Sequence, residues 1–430
     1  MLCALAGSVL LTWACATNPV TGNREIVLMS EAQELSFGRD GDAQIRNDMG
    51  VYEDQSLQAY VEEVGVELAA SSHRPELPWR FTIVDSPAIN AFALPGGYIY
   101  LTRGIMAYLS DAAELAGVLG HEIGHVTARH AVQAYTRATG MTLGMVVGSI
   151  FVPPMRASPY GAPGLGDAAG TGLGLLLLRF GRDDETQADR LGAEYAVASG
   201  WDPHGVGDML STLARIAETN DDRRGIPNWL ATHPEPEDRV TNVASTVDEL
   251  LATTNQAGLR VERSGYLSRI DGLLYGDNPD QGIVRGNAFL HPVLRFALEF
   301  PEGGEVQNSE AIVVARQPGS ENHMILELLE NPQGRGLQQI AENSMDGAGY
   351  RLRQGSMTEI NGLDAFVGTY GQQVRDLGTV VARVAHIREG RSIYVIGGFA
   401  PVGEYSSVER DVYESIRSFR RLGRDEADKI

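Results

Sequence analysis

Two histidines four residues apart flank a glutamate in the stretch GVLGHEIGHVTARH, which covers residues 117–130. On an α-helix, positions i and i+4 lie on one face about a turn apart, so His121 and His125 can point their imidazoles at a single ion. Glu122 then lies beside that ion, where its carboxylate can accept a proton from a water molecule. The types and spacing of these residues therefore predict a metal site that contains a general base.

A catalytic zinc site needs three protein ligands and an open fourth position. His130 is excluded as the third ligand, because at about 100° per residue it falls on the opposite face of a continuous helix from His121. The stretch GRDDETQADRLGAEYA instead offers Glu185 and Asp189, four residues apart on one face of a second predicted helix. Glu185 as the third ligand, with Asp189 as its neighbour, fits a His, His, Glu zinc sphere. The alternative is that Glu185 is an ordinary solvated carboxylate.

The elements that must carry these residues are predicted to be helices. Apolar residues recur at helical spacing on both sides of the first motif, which predicts a long helix from Ser110 to about Thr136. A second helix is predicted from Arg182 to Ala198, and it carries both carboxylates. Upstream, Ser30 and Gln33 form the pattern of a capping box, which marks the start of an earlier packing helix.

A small sheet is predicted just before Ser110. In NAFALPGGYIYLTRG, residues 90–104, two apolar runs flank Pro95-Gly96-Gly97, a pattern typical of a strand, a turn and a strand. We expect the strand near Asn90 to Leu94 to bind substrate, because an edge strand can pair with an extended peptide through backbone hydrogen bonds. Backbone capture selects little by sequence, so unfolded chains would be favoured.

The segment 140–178 contains only two charged residues, Arg156 and Asp167, and is interrupted by prolines. Neither of its apolar halves reaches the ~20 residues that a transmembrane helix needs. We expect a Gly- and Pro-rich loop over the site that keeps folded proteins out. A membrane-dipping segment is the alternative.

The part of the chain that bears chemistry ends before a second domain begins. Candidate functional residues stop after Thr253, and GDNPDQGIVRGN at residues 276–287 has the composition of a linker. We therefore predict a site-bearing domain at residues 16–265, a linker at 266–285 and a smaller C-terminal domain at 286–424.

The C-terminal domain combines strand and helix patterns. Phe296, Leu298 and Phe300 alternate as a half-buried strand does, and apolar runs on both sides of Gly390 predict a hairpin. Ser406 begins a final helix with the pattern of a capping box. The phrases FALEFPEGGEVQN and ESIRSFRRL resemble the small PsbP/Mog1-type domain. The predicted fold class is α+β, with a mainly helical zincin-type domain and a small substrate-binding sheet, followed by a smaller α+β domain.

Residues 1–15 have the pattern of an export signal. LCALAGSVLLTWA is apolar for 13 residues, the length of a signal-peptide core and too short to span a bilayer. It leads into LTWAC, which resembles a bacterial lipobox and predicts that Cys15 is lipidated. The alternatives are a cleaved secretory signal with an incidental cysteine and an ordinary buried or disordered N-terminus.

The net charge excludes one class of partner. With 35 basic and 56 acidic residues, the chain has a formal net charge of −21 at pH 7. Such a charge repels phosphate backbones and anionic membrane surfaces. We therefore expect no nucleic acid partner.

Taken together, the motifs resemble a known family. HEIGH, followed by the E-x-x-x-D of Glu185 and Asp189 and by His233-Pro234, resembles the HtpX and CAAX-prenyl-protease family of zinc metallopeptidases. Three further stretches resemble the soluble periplasmic branch of that family, which includes the β-barrel assembly-enhancing proteases: CATNPVTGNREIVLMSEAQE, INAFALPGGYIYLTRG and ELAGVLGHEIGH. The resemblance covers residues 15 to about 245.

This resemblance implies one zinc ion per chain on His121, His125 and Glu185. It implies that Glu122 is the catalytic base, which takes the proton of the attacking water. Asp189 matches a position to which the family assigns a proton-donating role or a supporting role behind the ligands.

The role of His233 has more than one interpretation. In the family, a histidine on the corresponding loop can approach zinc as a fourth ligand, which would displace water and hold the enzyme latent. An oxyanion-stabilising role and a structural hydrogen bond are the alternatives. Arg239 either orients the site or pairs with Asp238 or Glu237. The other histidines lack partner spacing and are predicted to be surface or packing residues: His73, His204, His291, His323 and His386.

The predicted function is a zinc-dependent endopeptidase that hydrolyses unfolded or misassembled cell-envelope proteins. The expected location is the periplasm, with an outer-membrane anchor through lipidated Cys15 and the outer-membrane assembly machinery as a candidate partner. The alternative is a periplasmic chaperone or assembly factor with a latent or structural zinc site, which Glu122 disfavours because a structural site needs no general base. A membrane-embedded prenyl-protein protease is disfavoured because the sequence lacks a span of about 20 apolar residues.

Overall fold

The computed structural model describes residues 15–137, 180–219, 229, 233, 236–254, 257–308, 312–330, 335–374 and 378–430. The predictions for the export signal before Cys15, for the segment 140–178 and for Pro234 lie outside these described residues.

The described chain forms two compact units, and the division falls between Gly276 and Asp277. This point lies inside the linker predicted at 266–285. A helix, Arg263–Arg269, overlaps the start of that range, and a strand, Ile283–Arg285, lies at its end. The irregular connection therefore covers only the middle of the predicted linker.

The first unit is mainly helical, as predicted. Its helices are α1 (Glu31–Met49), α2 (Gln55–Ala70), α3 (Arg103–Met106), α4 (Ala112–Thr127), α5 (Arg182–Ala198), α6 (His204–Thr219), α7 (Pro236–Thr253) and α8 (Arg263–Arg269). The predicted capping box opens α1, where the hydroxyl of Ser30 accepts the backbone N–H of Gln33 and the Gln33 side chain accepts that of Ser30. Helix α5 has the predicted bounds. Among the described helices, none combines the length and hydropathy needed to cross a membrane.

The sheet of the first unit is small. Its strands β3 (Arg80–Val84), β5 (Tyr98–Thr102) and β4 (Ala91–Leu94) lie side by side in that order, and β4 is antiparallel to β5. The turn between β4 and β5 contains Gly96 at φ +84° and Gly97 at φ +98°, a left-handed region that favours glycine. The predicted strand, turn and strand are present, and β4 is one of the two edge strands of this sheet. A separate hairpin pairs β1 (Cys15–Thr17) with β2 (Arg24–Ile26).

The second unit is α+β, which agrees with the predicted class. A seven-stranded antiparallel sheet has the order β12-β13-β14-β15-β11-β10-β9, and a four-stranded sheet has the order β16-β8-β7-β6. The strands are β6 (Ile283–Arg285), β7 (Ala288–His291), β8 (Phe296–Glu299), β9 (Glu305–Asn308), β10 (Ile312–Arg316), β11 (His323–Glu330), β12 (Arg351–Ile360), β13 (Leu363–Val374), β14 (Gly378–Glu389), β15 (Ser392–Pro401) and β16 (Arg420–Arg421). The helices are α9 (Leu337–Gly347), α10 (Tyr405–Ser418) and α11 (Arg424–Ala427).

Two local predictions in the second unit have different outcomes. The hairpin around Gly390 is present, because β14 pairs with β15 and Gly390 has φ +59°. The capping box at Ser406 is wrong: the N-cap of α10 is Glu404, which makes no side-chain capping hydrogen bond. The helix instead begins near the turn in which Ser407 Oγ donates to the Glu404 carbonyl oxygen at 2.6 Å.

The long helix predicted from Ser110 to Thr136 is interrupted. Helix α4 ends at Thr127, Arg129 adopts a left-handed φ of 59°, and the chain becomes helical again at residues 130–137. The Arg129 side chain is held by Glu34 Oε2, at 3.1 Å from Nε, and by the Met29 carbonyl oxygen, at 3.2 Å from Nη2. Tertiary contacts to α1 therefore stabilise a break that the local sequence does not signal.

Candidate metal centre

Helix α4 carries the HExxH motif through the interior of the first unit. Asp111 caps its N-terminus by accepting the backbone N–H of Glu114, and every residue of α4 is buried. Polar side chains on a buried helix must find partners inside the protein, because a buried group left unpaired costs about 1–3 kcal/mol. Those partners come from α5 and from the segment that contains His233.

Glycines on both helices let the backbones of α4 and α5 pack close together. A Cβ atom added to Gly120 would lie 3.0 Å from the Cα atom of Gly192. A Cβ atom added to Gly192 would lie 2.9 Å from the backbone nitrogen of His121. This close packing brings Glu185 on α5 within reach of the histidines on α4.

Four buried side chains converge at this helix pair: His121, His125, Glu185 and His233. Their ligand atoms all lie within 4.8 Å of one another. His121 Nε2 is 3.0 Å from His125 Nε2 and 3.3 Å from His233 Nδ1. Glu185 Oε1 is 3.0 Å from His233 Nδ1 and 3.4 Å from His125 Nε2. The side chains that the sequence nominated as ligands are thus brought together.

This donor set fits a zinc ion. Imidazole nitrogen and carboxylate oxygen are common zinc ligands, and tetrahedral coordination at bond lengths of about 2.0–2.1 Å separates the ligand atoms by about 3.3–3.4 Å. The separations in the cluster, 3.0 Å between the two Nε2 atoms of His121 and His125 and 3.7 Å from His121 Nε2 to Glu185 Oε2, bracket that value. The geometry and the donor chemistry are compatible with one bound ion.

Burial and mutual contacts set the charge states in the cluster. Burial lowers the pKa of His121 and lowers that of His125 to about 3, so both imidazoles are neutral near pH 7 and can offer a lone pair. Burial alone would raise the pKa of Glu185, but its contacts with His233 and His125 hold that pKa well below its usual range. Burial alone would lower the pKa of His233, and the Glu185 carboxylate raises it.

Glu122 lies beside this cluster with an unused acceptor. Its side chain is 1% exposed, and Oε1 has no hydrogen-bond partner among the residues that the structure describes. His233 Nε2 lies 3.7 Å from that oxygen. Burial raises the pKa of Glu122. An unpaired buried carboxylate oxygen is costly to the fold, so it indicates a chemical role.

Asp189 supports His121 from behind instead of joining the four ligand atoms. Its Oδ1 lies 2.9 Å from His121 Nδ1, an arrangement that leaves Nε2 to face the cluster. Arg239 donates from Nε to Asp189 Oδ2 at 2.8 Å and from Nη2 to Oδ1 at 2.6 Å. Its Nη1 lies 2.7 Å from Glu185 Oε2. Arg239 thus contacts both Glu185 and Asp189 on α5, an arrangement that corresponds to the first of the two roles considered from the sequence.

Two aromatic residues at the centre were not predicted. The Trp229 ring stacks on His233 at a centroid distance of 4.6 Å, and the Phe180 ring lies 4.1 Å from that of His125. Trp229 precedes His233 by four residues, and its backbone oxygen accepts the His233 N–H at 2.8 Å. That four-residue spacing could have indicated that Trp229 lies beside His233. Phe180 has no comparable signal in the sequence.

The predicted position of His130, on the helix face opposite the site, is wrong. It assumed a continuous helix, and the break after Thr127 instead turns His130 toward His125. The Nδ1 atoms of these two residues are 2.9 Å apart, and His130 Nε2 lies 3.0 Å from Gln187 Oε1. His130 is not one of the four clustered ligands, but it contacts one of them directly.

The remaining histidines have ordinary surroundings, on the surface or in packing. His73 Nδ1 lies 2.7 Å from the Tyr195 hydroxyl, and exposed His204 pairs with Asp202. His323 stacks on Phe399 in the second unit. Two others are buried there, and burial lowers the pKa of each to about 4: His291 and His386.

Replacing Gly192 by alanine is expected to lower the stability of the first unit by about 1–3 kcal/mol, because the new Cβ atom forces α5 away from His121. The same displacement should weaken zinc binding. All four tryptophans precede Gly276, so tryptophan fluorescence reports unfolding of the first unit, and chelator competition reports zinc affinity.

Gly207 on α6 provides a matched control for this substitution. A Cβ atom there would have Val243 Cγ1 as its nearest neighbour, at an ordinary 3.6 Å. Gly207→Ala should therefore gain up to ~1 kcal/mol from helix propensity. A Gly192→Ala protein that is as stable as Gly207→Ala would contradict the close packing of α4 on α5.

Comparison with known proteins finds relatives of the first unit. Residues 55–247 match the family model described as peptidase family M48. The beta-barrel assembly-enhancing protease of Yersinia pestis is 32% identical over 239 residues, which are 54% of this chain and 47% of that protein. The protease of the same name from Escherichia coli K12 is 29% identical over 237 residues, 54% of this chain and 48% of that protein.

The relatives also include a mitochondrial metalloendopeptidase of Arabidopsis thaliana, which is 30% identical over 189 residues, 44% of this chain and 36% of that protein. The chain therefore spans about half the length, or less, of the curated relatives it matches. Among solved structures, a cyanobacterial PsbP from Synechocystis is 12% identical and covers 33% of this chain and 96% of its own, with a TM-score of 0.26. A score that low does not establish a shared fold, and the PsbP/Mog1-type resemblance stays a prediction.

The match with the family model includes both motif helices, α4 and α5, and the segment of His233. The relatives carry the names that the sequence motifs led us to expect, and the family resemblance is thereby confirmed. Over residues 55–247, this chain is similar to peptidase family M48.

Proposed function

We propose that this chain is a zinc-dependent endopeptidase. The observation that carries the proposal is the buried cluster of His121, His125, Glu185 and His233, with the unpartnered Oε1 of Glu122 beside it. His121 Nε2, His125 Nε2 and the Glu185 carboxylate would hold the ion. A bound zinc ion would supply Lewis acidity and would lower the pKa of water toward ~7.

The protein's own groups would handle the protons. Glu122 Oε1 would accept the proton of the attacking water and pass it to the leaving amide nitrogen. Its raised pKa, a result of burial, makes it a stronger base than an exposed glutamate. Asp189 acts as a positioning residue in this scheme, because it holds the Nδ1–H of His121 and leaves Nε2 free for the ion.

His233 would make the resting enzyme latent. Its Nδ1 lies 3.3 Å from His121 Nε2 and 3.0 Å from Glu185 Oε1, so it could take the fourth position and exclude water. The stacking of Trp229 on its ring supports a fixed resting position. Oxyanion stabilisation after displacement, or a structural hydrogen bond, are the competing roles.

The substrates we propose are unfolded or misassembled proteins of the cell envelope. The edge position of β4 supports this, since an edge strand can pair with an extended chain and with few other shapes. The names of the relatives from Yersinia pestis and Escherichia coli support β-barrel assembly as the setting. We propose a periplasmic location, an outer-membrane anchor through lipidated Cys15 and the outer-membrane assembly machinery as a partner. The exclusion of folded proteins by the segment 140–178 stays a prediction.

A chaperone or assembly factor with a latent or structural zinc site is the alternative. A structural site has no use for a general base, so the unpartnered Glu122 oxygen favours the peptidase.

Cleavage of unfolded casein by the purified chain tests the proposal. We expect about one zinc per chain, loss of cleavage when a chelator removes it and recovery when zinc is added back. His233→Ala should cut faster than wild type. His204→Ala, at an exposed histidine paired with Asp202, is the matched control and should cut at the wild-type rate.

Three outcomes separate the alternatives. Cleavage that survives complete zinc removal would overturn the metallopeptidase. Zinc binding without cleavage by wild type or His233→Ala would favour the chaperone. Cleavage by His233→Ala at or below the wild-type rate would overturn latency but leave the peptidase standing.

A further inference from the structure

We propose that His130 is a positioning residue that fixes the ring orientation and the tautomer of His125 in the metal centre. The proposal rests on the proposed function in one respect, that His125 binds the ion through Nε2. It adds a residue outside the four clustered ligands and assigns a role to the helix break after Thr127.

His130 is buried and has a partner on each side of its ring. Its side chain is 0% exposed. Nδ1 lies 2.9 Å from His125 Nδ1, and Nε2 lies 3.0 Å from Gln187 Oε1. Asp184 Oδ1 lies 3.9 Å from the same Nε2. Gln187 and Asp184 are both on α5, the helix that carries Glu185.

Only one arrangement of protons satisfies the hydrogen bonds from His125 through His130 to Gln187 while His125 is a ligand. A histidine that binds an ion through Nε2 carries its proton on Nδ1. That N–H of His125 must then donate to an unprotonated Nδ1 of His130. The His130 proton therefore lies on Nε2, where Gln187 Oε1 accepts it.

The reverse arrangement would remove His125 from the centre. If Gln187 presented its amide N–H to His130 Nε2, the His130 proton would move to Nδ1 and point at His125. His125 would then accept at Nδ1 and carry its own proton on Nε2, the atom that must face the ion. The amide orientation of Gln187 and the ligand state of His125 are thus coupled through His130.

The two histidines of the motif are supported by different groups. Asp189, a carboxylate, accepts from His121 Nδ1. His125 is instead supported by a neutral imidazole and an amide. Loss of such a supporting contact behind a metal ligand typically costs 10- to 100-fold in metal affinity.

The backbone around Arg129 shows why His130 can reach this place. On an unbroken α-helix, His130 could not face His125, because five residues correspond to about 500° of rotation. Arg129 adopts a left-handed φ of 59°, which is unfavourable for a residue with a side chain. Glu34, 1% exposed and held by Arg74 at 2.7 Å, holds the Arg129 guanidinium in turn. A strained turn kept in place by buried charges indicates that the position of His130 has a use.

Zinc affinity, measured by chelator competition on the full chain, tests the proposal. His130→Phe keeps the ring but removes the acceptor, and we expect zinc affinity to fall by about 10- to 100-fold. His130→Asn places a side-chain oxygen near the position of Nδ1, and it should recover affinity to within about threefold of wild type. Gln187→Leu leaves His130 intact but removes the acceptor that fixes its tautomer, so a smaller loss is expected. His204→Phe, at an exposed histidine, should bind zinc as wild type does.

A second readout separates positioning from folding. In cobalt-substituted protein, His130→Phe should alter the visible absorption spectrum and His130→Asn should restore it, while the tryptophan-monitored unfolding of the metal-free proteins stays similar. Equal losses in His130→Phe and His130→Asn, or wild-type affinity in His130→Phe, would overturn the proposal. If both His130 variants fail to fold, unchanged affinity in Gln187→Leu would overturn it. A wild-type chain that binds no zinc would overturn the proposed function and this proposal together.

Discussion

Glu122→Gln is expected to lower the rate of casein cleavage by about 10²- to 10⁴-fold while the zinc content of the protein stays unchanged. Glutamine has nearly the shape of glutamate, so the packing of α4 should be preserved. It cannot accept the proton of the attacking water, because its amide nitrogen is a donor and its oxygen is a weak base. The four proposed ligand atoms lie on other residues, and zinc binding should therefore survive.

The unpaired Oε1 of Glu122 makes this substitution unusually informative. Because that oxygen has no hydrogen-bond partner among the described residues, the change to glutamine breaks no hydrogen bond of that atom. Glu114 is the matched control: it lies on the same helix, is 5% exposed, and has a pKa that burial raises. Its Oε2 accepts the backbone N–H of Ser110 at 3.0 Å, away from the cluster. Glu114→Gln should leave the cleavage rate within about twofold of wild type.

The measurement is kcat and KM for an unstructured peptide, with zinc content determined on each protein. A fall in kcat at constant KM would place the loss in the chemical step. If Glu122→Gln retains zinc and cleaves at the wild-type rate, Glu122 is not the base. If the Glu122→Gln protein loses zinc, Glu122 contributes to zinc binding in addition to the four proposed ligands.

Local sequence patterns predicted the parts of the site that depend on neighbours along the chain. The i, i+4 spacing of His121 and His125 needs only a helix, and α4 provides it over the residues concerned. The same reasoning gave α5 its bounds and paired Glu185 with Asp189. The glycines at positions 96 and 97 were enough to predict a turn between β4 and β5, because few other residue types adopt their φ values.

The parts that sequence could not predict depend on residues far apart in the chain. Arg129 interrupts the motif helix because Glu34, 95 residues away, holds its guanidinium. No local signal marks that break, so His130 was assigned to the wrong face. Likewise, Arg239 contacts Asp189, which lies 50 residues before it and could not be inferred from local spacing. The ring contact between Phe180 and His125 also joins residues far apart in the sequence, and no local pattern signals it.

Arg239→Leu is expected to lower the free energy of unfolding of the metal-free first unit by about 3–5 kcal/mol, the usual cost of removing one member of a buried ion pair. The Arg239 side chain is 5% exposed and pairs with two carboxylates that are themselves buried, at 2.6 Å to Asp189 and 2.7 Å to Glu185. Without the guanidinium, both acidic groups stay desolvated with less opposite charge nearby. Zinc binding should offset part of the loss, because the ion would neutralise Glu185.

Arg190→Leu on α5 is the matched control, since the Arg190 side chain is 62% exposed and pairs at 2.9 Å with Glu194 one turn away. An exposed pair of that kind contributes at most about 0.5 kcal/mol. Denaturant unfolding followed by tryptophan fluorescence, in the presence of a chelator, compares the two variants on the first unit alone. The double variant Arg239→Leu with Asp189→Asn should lose less than the sum of the single changes, because the asparagine removes one of the stranded charges. Additive losses would mean that Arg239 stabilises the fold through packing on Trp229, 4.9 Å from its guanidinium carbon, and that the carboxylates of α5 do not depend on its charge.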